Sequence, residues 1–259
     1  MIRRFFEQAW LYHKGRAAAF KLSEFLCFDA GYPVITLIFY CLLASYCFQT
    51  TNLTHWVIGN AFLMCTNTCI FGLGSIFNGE RYNGRLRSII ASPCNKLALI
   101  LANGVFPALF AAISVIGGFL VGALIFHVDF SGVNPALMAL TILCAMLAAT
   151  GLGLLLAVFG LISDSMHLIL NCMSYVLMIF TGAEFPVSQL PLPGQWISQI
   201  LPLTRSIKAM NILLGNASGD YLSLILCELF TAACYFLSAW ALLRLAEQAC
   251  RKNGTFDLF

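Results

Sequence analysis

Hydrophobic positions in this chain gather into six long runs, at about 25–47, 55–77, 97–126, 135–162, 165–184 and 221–243, and most charged residues lie between them. Each run reaches the roughly 20 residues that an α-helix needs to cross the hydrocarbon layer of a bilayer. The pattern predicts six transmembrane helices in an all-α integral membrane fold. Little sequence is left outside the runs, so no soluble catalytic domain is expected.

Three of the remaining stretches have patterns of their own. Residues 1–24 read as an interfacial amphipathic helix, with Ile2, Phe5, Phe6, Trp10 and Phe20 for the acyl chains and Arg3, Lys14, Arg16 and Lys21 for the headgroups. Such a helix anchors the chain and sets the tilt of the first span, or also touches a cytoplasmic partner. Residues 25–259 then form one transmembrane domain. The loop at 78–96 is the one sizeable charged segment between runs; beyond Gly84, Leu86, Ile89 and Ile90 fall at i, i+3, i+4, which predicts a short amphipathic helix ended by Pro93. It reads either as an anchor lying on the membrane or as a lever that docks into another protein. Between the fifth and sixth runs, Thr181-Gly182-Ala183-Glu184-Phe185-Pro186, Leu190-Pro191 and Leu201-Pro202-Leu203-Thr204 break the helix yet stay mostly apolar. Irregular backbone survives at membrane depth only where protein or a water-filled cavity shelters it. Residues 185–203 are therefore predicted to dip into the bilayer and out again, shaping the mouth of a pathway.

Composition agrees. The chain is 60% hydrophobic and 10% charged, with a mean hydropathy of +0.87, whereas soluble domains are about 25% charged. Charge also orients the spans. With the N-terminus in the cytoplasm, twelve of the fourteen Lys and Arg fall inside, and only Arg205 and Lys208 fall outside. N-terminus and C-terminus are both expected in the cytoplasm. The net charge of +3 then reflects topology and attraction to anionic lipid, not nucleic-acid binding. Nine of the eleven cysteines sit in or at the ends of the apolar runs, where a thiol behaves as a small hydrophobe; the other two, Cys94 and Cys250, fall in cytoplasmic segments. No cysteine pair has metal-ligand spacing with a histidine. The first run begins some 24 residues in, with no small-residue cleavage site after a short apolar core, so no cleavable leader is expected.

The loop pattern Glu80-Arg81-x-x-Gly84-x-Leu86-x-x-Ile89-x-x-Ser92-Pro93 resembles the cytoplasmic motif of ABC-2 type transporter permeases, the membrane subunits of ATP-binding-cassette exporters. The segment Gly182-Ala183-Glu184-Phe185-Pro186, Leu190-Pro191, Leu201-Pro202-Leu203-Thr204, running on to Leu214-Gly215, is similar to the signature before that family's last helix. The nearest pattern is the subgroup of daunorubicin-type drug exporters and nodulation lipo-oligosaccharide exporters. The resemblance covers essentially the whole chain in length, span number and motif order. It implies a coupling helix within 78–96 that sits in a cleft of a separate ABC ATPase subunit, with Glu80, Arg81, Gly84, Arg85, Leu86 and Pro93 as the docking motif. Arg85 departs from the pattern, standing where a small residue is common. The resemblance also implies re-entrant extracellular helices at 185–203, with Gly182, Glu184, Phe185, Pro186, Leu190, Pro191 and Pro202 at the outer gate. Two ATPase subunits, a second copy of the permease or a similar chain, and a bacterial plasma (inner) membrane are implied too. So is an amphiphilic substrate: a drug, lipid, glycolipid or peptide.

No Gly-rich phosphate loop followed by Lys and Ser/Thr is present, so ATP and Mg are expected on the partner and no cofactor on this chain. The chain is read as a transporter subunit, not an enzyme. Charges inside a bilayer are costly and are functional candidates by default. Asp29 stands near the start of the first run and Glu228 lies within the sixth. Glu228 reads as a buried hydrogen-bond partner or as a handler of substrate or protons. Asp164, in a tight turn, reads as a helix cap. The small residues Gly118, Gly122, Gly151 and Gly153 permit close helix packing. The alternative to an exporter subunit is an ion-coupled secondary transporter or channel half, using Glu228 or Asp29 and no ATPase.

Overall fold

The computed structural model describes residues 31–82, 96–160 and 165–253, with the single positions 7, 84 and 163. Regular structure among them is helical throughout. The elements are α1 (Tyr32–Phe48), α2 (Thr54–Leu63), a π-helical stretch (Thr66–Phe71), α3 (Gly72–Gly74), α4 (Ile76–Tyr82), α5 (Lys96–Ile125) and α6 (Pro135–Phe159). Then come α7 (Met166–Phe180), a 3-10 turn (Val187–Gln189), α8 (Leu192–Ile200), α9 (Thr204–Leu213) and α10 (Tyr221–Asn253). Among the described residues, Thr54–Gly74, Ala108–Ile125, Pro135–Phe159 and Tyr221–Leu245 are long and apolar enough to cross a membrane, and α1 and α7 are shorter apolar helices. This is an all-α integral membrane protein. The interfacial helix predicted at 1–24 (Glu7 apart), Asp29, Arg85, Leu86, Pro93 and Asp164 lie outside the described residues.

Local chemistry starts and stops these helices. Asn134 caps α6, its side-chain oxygen accepting from the Ala136 N–H at 3.0 Å, and Pro135 occupies the first position, where its missing N–H costs nothing. The Asp220 carboxylate accepts the Leu222 N–H at 3.2 Å at the start of α10. At the end of α7, Gly182 takes φ 82°, a left-handed conformation that glycine adopts freely. That turn stops the helix at Phe180, four residues short of the end of the apolar run.

The bundle is built around α6, buried along most of its length from Thr141 to Val158. It packs against α10, α5, α3 and the π stretch. Small residues make this possible. A Cβ on Gly153 would run into the Cys69 carbonyl oxygen, one on Gly151 would lie 3.0 Å from Tyr235 Cβ, and one on Gly118 would lie 2.7 Å from the Met64 sulfur. The small residues thus pack helices of this one chain against each other.

The second hydrophobic run is not one regular helix. Six residues, Thr66–Phe71, adopt the π form, with α3 and α4 continuing beyond. The widened turn brings the Cys69 backbone against Gly153, and the Thr150 hydroxyl donates to Cys69 Sγ at 3.8 Å. Hydrophobicity does not register such a bulge, because it changes the backbone and not the polarity of the side chains.

Candidate functional site

The segment 181–186 lies against α2, and residue size decides how closely. Gly59 on α2 meets Ala183 backbone directly: a Cβ there would stand 2.5 Å from both Ala183 Cα and its carbonyl oxygen. Trp56 Nε1 donates to the Glu184 carbonyl at 3.1 Å. The Asn60 amide, which also donates to the Trp56 carbonyl at 3.0 Å, faces the Glu184 carboxylate. His55 faces the backbone of Gly182 and the side chain of Asn211. Gly182, Ala183 and Glu184 are buried, while Phe185 is exposed. Pro186 and Pro191, with backbone too extended for a helix, lead into the 3-10 turn and α8. The Gln195 amide donates to the Leu190 carbonyl at 2.8 Å, closing the turn between them.

The second half of the segment is tied to α10. Glu228 is fully buried, and its Oε1 accepts the Leu203 N–H at 2.7 Å. Leu203 has φ 73°, and Pro202 beside it is buried. The carboxylate also faces Arg205 and Ser206, so it sits at the positive end of α9. Arg205 donates to Thr231 Oγ1 at 2.7 Å and to the Gln199 carbonyl at 2.6 Å, and the Tyr235 hydroxyl donates to the Ile200 carbonyl at 2.9 Å. Glu228, Thr231 and Tyr235 are spaced i, i+3, i+7 and so share one face of α10. That face grips residues 199–205 at three points.

A cleft of about 210 Å³ opens between α1, the α2–π stretch and α7. Its polar lining comes from Tyr32, Thr36 and Tyr40 on α1, Asn60 and Thr66 from the second run, and Asn171, Ser174 and Tyr175 on α7. Leu37, Leu63, Met64, Phe71 and Met178 are among the apolar remainder. Among the described residues, none that lines it carries a formal charge.

At the other end of the second run, Glu80 is buried and Arg81 belongs to α4. Gly84 takes φ 68°, a left-handed conformation that glycine adopts freely.

A family model for the ABC-2 type transporter matches residues 30–214, well over half the chain. The chain belongs to the ABC-2 type transporter family. A search among curated proteins finds no match. The matched stretch spans α1 to α9 and so contains the cleft and its neighbouring loop. An ABC-2 permease component works with an ABC ATPase.

Several residues that build the site carry no motif. The cleft's polar positions 32, 36 and 40 recur at i, i+4, and 171, 174 and 175 at i, i+3, i+4. Within apolar runs, such spacing puts hydrogen-bonding groups on one helix face. That signal is present in the sequence of this ABC-2 chain and is separate from the loop motifs. Gly59 and α9 have weaker signatures: an ordinary glycine, and a polar amphipathic helix following a proline-rich stretch.

Proposed function

We propose that this ABC-2 permease carries an amphiphilic molecule outward across the membrane, driven by ATP hydrolysis on a separate ATPase. Two ATPase subunits and a second permease, identical or similar, complete the unit, since six spans are few to enclose a path. The observation that carries this reading is the cleft: eight hydrogen-bonding side chains within helices otherwise apolar enough for lipid, one of them Asn60 on the helix whose Gly59 and Trp56 hold the loop at 183–184. Polar groups at membrane depth are expensive and mark pathways. The path would open by movement of one half against the other. Glu228, the leading candidate for ion coupling, is engaged with the Leu203 backbone, which supports the ATP-driven reading over the ion-coupled one.

The test is reconstitution with the ATPase partner in proteoliposomes. Vanadate-sensitive uptake of a fluorescent amphiphile into vesicles with outward-facing ATPase is expected, unchanged when ion gradients are collapsed. Uptake that follows an ion gradient without the ATPase would overturn the proposal.

Two variants address its parts. Glu80→Ala with Arg81→Ala is expected to leave membrane insertion intact while ATP hydrolysis no longer drives transport; wild-type transport would remove this region from coupling. Pro186→Ala with Pro191→Ala is expected to lower export more than ATPase binding, because both prolines hold extended backbone on either side of the 3-10 turn. Loss of ATPase binding with normal folding would put the segment on the cytoplasmic side.

A further inference from the structure

The second run changes its winding part-way along. Its leading part, α2, is held by close contacts: Gly59 on the Ala183 backbone, and Ala61 and Val57 against Gly118 and Gly122 of α5. Its trailing part, α3 and α4, carries Glu80 and Arg81, in the region read above as coupling to the ATPase. Between the two lies the π stretch Thr66–Phe71, whose first and last residues both line the cleft. A π turn takes in one residue more than an α turn, is rare, and occurs mostly as a single bulge, often at a functional site. The trailing part is lightly held at its start. What lies over Gly74 is the flexible side chains of Leu170 and Met166, not backbone, and an irregular turn at Ser75 separates α3 from α4.

Thr66 shows that this winding has an alternative. Thr36, Thr141, Ser198 and Thr231, all in α-helices, each donate to the carbonyl four residues earlier at 2.9 Å. The Thr66 hydroxyl is buried and has no hydrogen-bond partner among the described residues. Thr68, also in the π stretch, reaches back three residues, to the Cys65 carbonyl at 3.2 Å. A buried hydroxyl left unpaired is costly. α winding at this point offers Thr66 the Phe62 carbonyl, four residues back. Rewinding one π turn to α turns the chain beyond it by about 100° and advances it by about 1.5 Å. We propose that Thr66–Phe71 is a joint that switches between π and α winding as the ATPase changes state. α3 and α4 then turn beneath a fixed α2, the turn at Ser75 absorbs part of the rotation, and the cleft wall at Thr66 and Phe71 changes shape. The inference rests on the permease reading and adds a moving part within one chain to the movement of the two halves.

The experiment reads two distances by pulsed electron–electron resonance in the permease–ATPase complex in nanodiscs, with labelled permease diluted among unlabelled copies. Nitroxides are carried on ketone-bearing phenylalanines, so the eleven cysteines stay as they are. One pair, Tyr82 and Phe159, joins the trailing end of the second run to the end of α6; the other, Thr51 and Leu140, joins the leading end to the start of α6. All four positions are exposed. Vanadate trapping of the ATPase is expected to shift the first distance by several ångström and to leave the second unchanged. Thr66→Val keeps the side chain's shape but removes the hydroxyl that α winding satisfies. It is expected to lower the shifted population about fivefold, the worth of one hydrogen bond, with ATP-driven transport falling alongside and thermal stability held. Thr66→Ser, which keeps the hydroxyl, should retain both the shift and transport. Because Thr66 lines the cleft, the distance and not transport alone is the deciding readout. An unmoved first pair, equal shifts in both pairs, or a full shift in Thr66→Val would overturn the joint; with ATP-driven transport intact, the permease reading stands. Failure of any ATPase to join the permease and trap would overturn both.

Discussion

Replacing Gly59 with alanine is expected to abolish most transport while leaving the chain in the membrane. The new Cβ would stand 2.5 Å from Ala183 Cα and carbonyl oxygen and 2.8 Å from its carbonyl carbon. All three atoms are backbone, so no side chain can swing aside. The segment is fastened on both sides of the contact, by the turn at Gly182 with φ 82° and by the Trp56–Glu184 hydrogen bond. It has to shift as a unit, which breaks that bond and moves Glu184. Overpacking of this kind costs about 1–3 kcal/mol, and about 1.4 kcal/mol corresponds to a tenfold loss of the properly packed form. Gly117→Ala on α5 is the control, because among the described residues nothing lies within 4 Å of its added Cβ. In a helix interior that change stabilises by up to about 1 kcal/mol. Transport in vesicles and thermal stability in detergent measure both. Normal transport by Gly59→Ala would show that the close contact between α2 and residues 181–186 does not matter for transport.

The second large effect is expected at Glu228. Truncation to alanine removes the acceptor for the Leu203 N–H in a fully buried setting. A hydrogen bond to a charged group contributes about 1.5–3 kcal/mol, and the abandoned N–H carries its own desolvation cost. The turn it holds is also strained: Leu203 is not glycine and sits at φ 73°, a conformation that persists only where its surroundings enforce it. Glu228→Ala is therefore expected to destabilise by about 2–3 kcal/mol and to release residues 199–205 from α10. Glu228→Gln keeps an oxygen that can accept the same bond and should lose about half as much. Thermal unfolding ranks the variants, and limited proteolysis between α8 and α9 reports release of the turn. If instead Gln and Ala fold like wild type and both abolish transport, Glu228 handles protons or substrate and the ion-coupled reading returns.

These residues also show how far the chain can be read directly. Glu228 stands out in the sequence as a charge in an apolar run, and its cost at membrane depth already demanded a partner. The partner, a backbone N–H twenty-five residues earlier, has no chemical signature of its own. The segment at 182–203 was legible for the same reason that it is irregular: prolines and glycine punctuate an apolar stretch. Its continuation through α9 was not, since Arg205 and Lys208 resemble ordinary loop charges until Arg205 is found bridging Gln199 and Thr231. The π stretch at Thr66–Phe71 is hidden in a different way, being a change of backbone winding beneath an unchanged hydrophobic profile.

The order of residues alone dictates the solvent this protein folds in, the all-helical architecture, where the chain leaves helix, and the family to which the loops belong. Each of these follows from local rules: a span needs length and apolar side chains, and an exit from helix needs glycine or proline. Packing of the helices is what seats Ala183 against Gly59, brings Glu228 to the start of α9, and sets polar positions of α1, α7 and the second run around one cleft. These are pairings between residues dozens of positions apart. A hydrogen-bonding group in an apolar helix requires a partner or a cavity, but which one it receives depends on how the helices pack against each other.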